Sequence, residues 1–211
     1  MSAPRPYETI LRETGHSLLR EAGDYFAGRG RLHDTLRRLS GRLLDEGIAY
    51  ALVGGLALGH HRYVRMTDDV DVIVTREGLE RFHERCVGRG YVPTHAGAQR
   101  SMRDVHSGVR IELLVAGEFP GDGKPKPVAF PDPSMAADDM DGLRVLRLPR
   151  LLDLKLASGM SAPHRLRDLA DVQEIIKVRG LDAAFADQLD PSVRARYLEL
   201  HGAVAAAGDS K

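Results

Sequence analysis

Three acidic residues stand out by their placement. Asp69 and Asp71 lie two apart at the head of the apolar run Val70-Asp71-Val72-Ile73-Val74, and Glu112 interrupts Val109-Arg110-Ile111-Glu112-Leu113-Leu114. Side chains alternate across a strand, so Asp69 and Asp71 project to one side while Val70 and Val72 enter a core. Two carboxylates held so close repel one another, at a cost that a cation between them removes. Mg2+ suits that role, because it takes oxygen ligands and keeps several waters that a phosphate can replace. Mn2+ accepts the same kind of ligand. A strand at 109–115 lying beside 70–74 would bring Glu112 to the same place. Three carboxylates could then hold two metal ions on the attacking and leaving oxygens of an in-line phosphoryl displacement. Asp68 faces the other way in a regular strand and is expected to cap or to meet solvent.

Gly54-Gly55 follows a short apolar stretch, 49–53, and precedes a stretch, 56–60, that reads as the start of a helix. Glycines allow a close backbone approach to a triphosphate, and N–H groups at a helix start can bind its oxygens. The order strand, Gly-Gly, helix, Asp-Val-Asp strand, Glu strand carries more weight than any one of these features. Arg65 can reach phosphates or pair with Asp68 or Asp69. His60 and His61 are adjacent and point to different sides, so they are not expected to share a metal, although His60 can shape a pocket rim. Cys86 falls in an amphipathic stretch and is expected to be a buried thiol.

The elements that must position these residues follow from periodicity. Two helices are expected in the first 46 residues, one carrying Ile10, Leu11, His16, Leu18 and Leu19, the other Leu32, Leu36, Leu39, Leu43 and Leu44. Strands are expected at 49–53, 70–74, 109–115 and 143–148, and a helix at 78–89. A loop rich in Gly, Pro and Lys runs from 117 to 127 and carries Lys124 and Lys126; it reads as a cover for an acidic acceptor or a surface loop. Beyond Pro149 the pattern is helical, with a stop at Gly180, a Pro191 suited to a first turn, and a frayed tail from Ala203 to Lys211. The fold class is therefore α/β (α+β): a mixed β-sheet flanked by helices, with residues 1–148 as the core and 149–211 as a C-terminal helical lobe.

Composition narrows the setting. With 43% hydrophobic and 28% charged residues the chain has the balance of a globular protein, and no apolar run is long enough to span a bilayer. No signal-peptide pattern opens it, so the expected location is cytoplasmic. A single cysteine excludes an internal disulfide. The 30 basic and 30 acidic residues cancel, so the chain lacks the basic footprint of a general nucleic-acid binder. Oligomeric state is not legible.

Val53-Gly54-Gly55, thirteen residues, then Asp69-Val70-Asp71-Val72, with Glu112 beyond, resembles the signature of the polymerase-beta-like nucleotidyltransferase superfamily. Arg65-Met66-Thr67-Asp68-Asp69, Leu151-Leu152-Asp153-Leu154-Lys155 and Arg165-Leu166-Arg167-Asp168-Leu169-Ala170-Asp171 resemble the subgroup of AbiEii-type toxins. The resemblance implies a nucleotidyltransferase fold and transfer of a nucleoside monophosphate from an NTP to an acceptor hydroxyl, with release of pyrophosphate. It implies that Asp69, Asp71 and Glu112 hold metal and that Gly54 and Gly55 contact the nucleotide, to which Arg65 could add a contact. Lys155 then holds the triphosphate or is a solvated helix lysine, and Asp168 orients Lys155, acts near the acceptor, or joins Asp171 in a salt-bridge row with Arg165 or Arg167. It points to RNA, such as a tRNA end, as acceptor, and to a cognate antitoxin as partner. Two departures are visible: Gly55 stands where many members have serine, and Arg167 where a lysine is usual. A protein hydroxyl or an antibiotic is an alternative acceptor, and a non-catalytic nucleotide-binding module is the alternative of a different class.

Overall fold

The computed structural model describes residues 5–12 and 16–208. Seven strands form one mixed sheet: β1 (Tyr50–Val53), β2 (Asp69–Val74), β3 (Tyr91–Pro93), β4 (Ser101–Asp104), β5 (Arg110–Val115), β6 (Ala137–Met140) and β7 (Leu143–Leu146), in the order β3-β4-β5-β2-β1-β7-β6. The centre is set by two pairings, β1 antiparallel to β2 and β2 parallel to β5. Their inward positions, Leu52, Val70, Val72, Ile111 and Leu113, are fully buried, which is what alternation of apolar and polar residues produces when one face meets a core.

Nine α-helices surround the sheet among the described residues: α1 (Tyr7–Leu11), α2 (His16–Phe26), α3 (Arg31–Asp45), α4 (Gly54–His60), α5 (Arg76–Arg85), α6 (Pro133–Ala136), α7 (Leu148–Ser161), α8 (Leu166–Arg179) and α9 (Pro191–Gly208). The leucine stripe of α3 buries Leu32, Leu36, Leu39 and Leu43, as its spacing requires. None of these helices is long and apolar enough to cross a membrane.

α7 differs in kind. Every residue from Leu151 to Gly159 is buried, including Asp153, Lys155 and Ser158. A helix buried all round cannot leave charges unpaired, so its neighbours must supply partners. Asp153 receives the Asp190 N–H at 2.8 Å and Arg150 Nη1 at 2.7 Å, which ties α7 to the start of α9. Lys155 turns instead to α8.

Several sequence expectations shift. The N-terminal stretch holds three helices rather than two, because Gly28 and Gly30 both take left-handed conformations ahead of α3 and a short α1 precedes α2. The strand expected to reach residue 148 stops at Leu146, since Leu148 and Pro149 open α7. β3, β4 and β6 were not expected, because none is marked by an alternating run of apolar residues in the sequence; β6 is held by its hairpin with β7. The tail expected from Ala203 is helical through Gly208, and residues 209–211 lie outside the described residues.

Candidate active site

The acidic pair and its companions are brought together by register. In the parallel β2–β5 ladder Asp69 lies opposite Arg110 and Asp71 opposite Glu112. Period-two alternation then puts all four side chains on one face, so the two strands present a square with three negative corners and one positive. On the other side of β2, Val53 of β1 pairs with Asp71, which sets the turn after β1 directly beside that carboxylate.

That turn requires glycine. Gly54 has a φ of +68°, and a Cβ there would collide with Asp71 Oδ2. Gly55 is buried one residue into α4, where a Cβ would sit 2.9 Å from Thr67 Cβ. Gly54 lines the cavity described below; Gly55 packs against Thr67 behind it, so any contact it makes to a nucleotide runs through its backbone.

The four corners are treated unequally. Asp69 Oδ2 accepts from Arg110 Nη2 at 2.7 Å and Oδ1 from Thr67 Oγ1 at 2.9 Å. Glu112 Oε1 accepts from Ser101 Oγ at 2.7 Å and lies 3.5 Å from Arg110 Nε. Among the described residues nothing donates to the Asp71 carboxylate. Burial, and then the Asp69 and Glu112 charges, push Asp71 well above the usual carboxylate range, against the pull of Lys155 and Arg110. For Arg110 burial opposes the charged form, but Asp69, with smaller contributions from Glu112 and Asp68, outweighs it.

Lys155 faces this cluster from α7. Its Nζ donates to Asp168 Oδ1 at 2.7 Å and Asp171 Oδ2 at 2.8 Å, both on α8. Asp168 Oδ2 accepts from Ser158 Oγ at 2.6 Å. Arg65 does not reach Asp68 or Asp69: its guanidinium grips Asp171 through Nε at 2.6 Å and Nη2 at 2.8 Å, and it does not line the cavity. Arg65 is thus held on the same Asp171 carboxylate that Lys155 binds, rather than on Asp68 or Asp69. Burial alone would raise Asp171, but Arg65 and Lys155 together hold it below its ordinary value.

A cavity of about 600 Å³ lies between the two walls. Gly54, Asp71, Lys155 and Asp168 line it from the sides already described. Phe119 and Phe130 line it from the 117–130 segment, where Gly117 N–H donates to Phe130 O at 2.8 Å and Phe130 N–H to Glu118 O at 2.7 Å. Arg100, which also lines it, is paired with both oxygens of Glu118. Phe119, Phe130, Arg100 and Ser158 were not anticipated as site residues, because the sequence pattern gives no sign of which loop closes over the acids. Arg110 was missed too, although its position two residues before Glu112 placed it on the acidic face. The 117–127 loop lines the cavity through Gly117, Gly121 and Gly123, while Lys126 turns back to Pro120 O at 2.7 Å.

The histidines are elsewhere. His61 is buried with Nε2 2.8 Å from Leu146 O, and His60 lines a second cavity, between α3, α4 and the β6–β7 turn, with Nδ1 4.0 Å from Asp141 Oδ2. Cys86 is a buried free thiol.

The three carboxylates of the square fit a hard divalent cation in their chemistry: all-oxygen donors, one carboxylate with no hydrogen-bond donor among the described residues, and a glycine that leaves space at that carboxylate. Among the described residues no three His, Cys, Asp or Glu side chains are gathered closely enough to hold a metal ion as they stand. Arg110, Thr67 and Ser101 hold Asp69 and Glu112.

No protein-family model and no curated protein matches the chain. Solved structures with a similar course include a solution structure of the antibiotic-resistance factor ANT(2'')-Ia, with 12% identity over 80% of this chain and 92% of that one and a TM-score of 0.46. A crystal structure of ANT(2'')-Ia in complex with adenylyl-2''-tobramycin has 10% identity over 91% and 99%, with a TM-score of 0.46. A crystal structure of an H. pylori protein described as a nucleotidyltransferase has 15% identity over 82% and 92%, with a TM-score of 0.44. Similarity at this level assigns no activity, substrate or acceptor to the present chain.

Proposed function

We propose that this protein is a divalent-metal-dependent nucleotidyltransferase. The observation that carries the reading is the Asp71 carboxylate, which accepts no hydrogen bond among the described residues, set in register between Asp69 and Glu112, under the Gly54 turn and across a cavity from the Lys155–Asp168 pair. An acidic cluster facing a fixed cation across a cavity suits a triphosphate, whose oxygens need positive charge on both sides.

Asp69, Asp71 and Glu112 would hold the metal, Mg2+ or Mn2+, which supplies Lewis-acid charge on phosphate oxygens when bound. Gly54 lets a phosphate approach the chain closely. Lys155, kept in place by Asp168 and Asp171, offers a point charge to the triphosphate. Gly55 contributes backbone only, and Arg65 acts through Asp171. In the transfer the acceptor hydroxyl oxygen bonds to the α-phosphorus and the bond to the pyrophosphate oxygen breaks. The hydroxyl proton passes to a base, for which Glu112 is the neighbouring carboxylate.

For the acceptor we favour an RNA hydroxyl, such as a tRNA end, as the AbiEii-like motifs imply for a toxin with a cognate antitoxin. The cavity lining supports this over a polycationic antibiotic: Asp71, Glu118 and Asp168 are balanced by Arg100, Lys155 and Arg165, which leaves no acidic excess for a cationic acceptor.

The test incubates the protein and Mn2+ or Mg2+ with each labelled triphosphate, adding total RNA, candidate protein partners and aminoglycosides separately. Label is expected in RNA, and not with Asp69→Ala or Asp71→Ala. Label in a protein or an antibiotic would redirect the acceptor. Tight triphosphate binding with transfer to nothing would replace the enzyme with a nucleotide-binding module.

A further inference from the structure

The positive corner of the acidic square has a specific placement. Arg110 is not beside the carboxylates by chance of rotamer: the ladder puts it opposite Asp69 and two residues before Glu112 on the same face. Its guanidinium bridges both, 2.7 Å from Asp69 Oδ2 and 3.5 Å from Glu112 Oε1, and among the described residues it pairs with no other acid. The remaining donors to these two carboxylates among the described residues, Thr67 and Ser101, are neutral hydroxyls.

We propose that Arg110 is the internal counter-cation of this site: it holds Asp69 and Glu112 while no divalent ion is bound, and it competes with that ion for the same two carboxylates. The inference rests on the reading of the square as a metal site. With Arg110 in place the square carries three negative charges and one positive, a net charge that a single divalent ion balances. A second ion would have to displace the guanidinium. Arginine suits this role because its charge is permanent and its fork can span two carboxylates, whereas lysine concentrates the charge at one point. The consequence is a protein that binds one divalent ion, weakly, before nucleotide arrives, and whose acids do not force the strands apart when the ion is absent.

The experiment measures Mn2+ binding by the paramagnetic resonance of free Mn2+, and thermal unfolding in EDTA, for the wild type, Arg110→Gln, Arg110→Lys, Thr67→Val and Ser101→Ala. Arg110→Gln is expected to bind Mn2+ about tenfold tighter, equivalent to about 1.4 kcal/mol, and to melt below the wild type in EDTA, with the gap closing when Mn2+ is added. Arg110→Lys should stay within about threefold of wild-type affinity, as should the two neutral variants, which remove a hydrogen bond and no charge. Equal or weaker Mn2+ affinity in a folded Arg110→Gln protein would overturn the counter-cation role while leaving the metal site standing. Absence of Mn2+ binding in the wild type and every variant would remove the metal reading itself. A measurement on the wild type covers the case in which Arg110→Gln does not fold: the Arg110 Nε–H resonance should shift on adding Mg2+, with the midpoint of metal binding, and a static resonance during binding refutes the proposal.

Discussion

The Lys155 ammonium and the Asp171 carboxylate are 2.8 Å apart in the protein interior, and Arg65 grips the same carboxylate from the other side. Asp171 is only 1% exposed, so its charge is tolerable because two cations share it. Lys155 has a second partner in Asp168, and Arg65 is further fixed by Tyr25, whose hydroxyl donates to the Arg65 carbonyl at 2.6 Å. The loop after α4, α7 and α8 therefore meet at one buried charge cluster at the wall of the cavity.

Lys155 and Arg65 should separate in their effects. Lys155→Met removes the cation that faces the cavity and should weaken triphosphate binding at least tenfold, at a stability cost of about 1–3 kcal/mol. Arg65→Lys keeps the charge and loses the two-pronged contact, so it should lower stability by about 1–2 kcal/mol and binding only a few-fold. Calorimetric titration of a non-hydrolysable triphosphate, with urea unfolding, checks both. If Arg65→Lys proved the more damaging to binding, the supporting role would be wrong and a direct phosphate contact right.

Asp71 should show opposite signs for stability and function. Its carboxylate has no donor among the described residues and is crowded by two other acids, so Asp71→Asn relieves repulsion. The metal-free variant is expected to gain on the order of 1 kcal/mol while losing nucleotidyl transfer, a trade seen where a site is held in a strained state. Melting in EDTA reads the first effect and label transfer the second. A less stable Asp71→Asn protein in EDTA would show that the acid is better satisfied than its surroundings indicate.

Gly54→Ala tests the turn. The new methyl combines a φ of +68° with a collision against Asp71 Oδ2, so both backbone strain and displacement of the carboxylate are expected. The stability loss should exceed about 1 kcal/mol, and Mn2+ affinity should fall with it. Retention of full Mn2+ affinity would show that Asp71 can move aside without consequence.

Asp153 predicts the pH dependence of stability. Burial lifts its pKa from 3.8 to about 6, although the Asp190 N–H and Arg150 favour the charged form. The folded state then binds the proton more tightly than the unfolded chain. Its contribution is complete below about pH 4, declines as pH rises, and is gone above about pH 6, a change of up to about 3 kcal/mol. Urea unfolding between pH 4 and 7 should show this fall, and Asp153→Asn should flatten it relative to the wild type. An unchanged slope in Asp153→Asn would assign the pH dependence to other groups.

The sequence by itself determined the parts that depend on local order. Alternation in 69–74 and 109–115 is enough to place Asp69 with Asp71 and to isolate Glu112, and the Gly54 turn follows from its position between a strand and a helix. The leucine spacing of α3 and the stop at Gly180, which takes a left-handed conformation, are local in the same sense. Apart from the Lys155–Asp168 pair, which the motif resemblance implied, tertiary structure decided which acids meet which cations. Whether Asp71 faces Glu112 or a neighbour depends on the β2–β5 register, since a slip of one residue would turn Glu112 to the opposite face. The partners of Lys155 and Arg65 lie 16 and 106 residues away at Asp171, a separation across which no periodicity carries information. The closing loop with Phe119 and Phe130 is irregular, so only its packing over the cavity reveals that it belongs to the site.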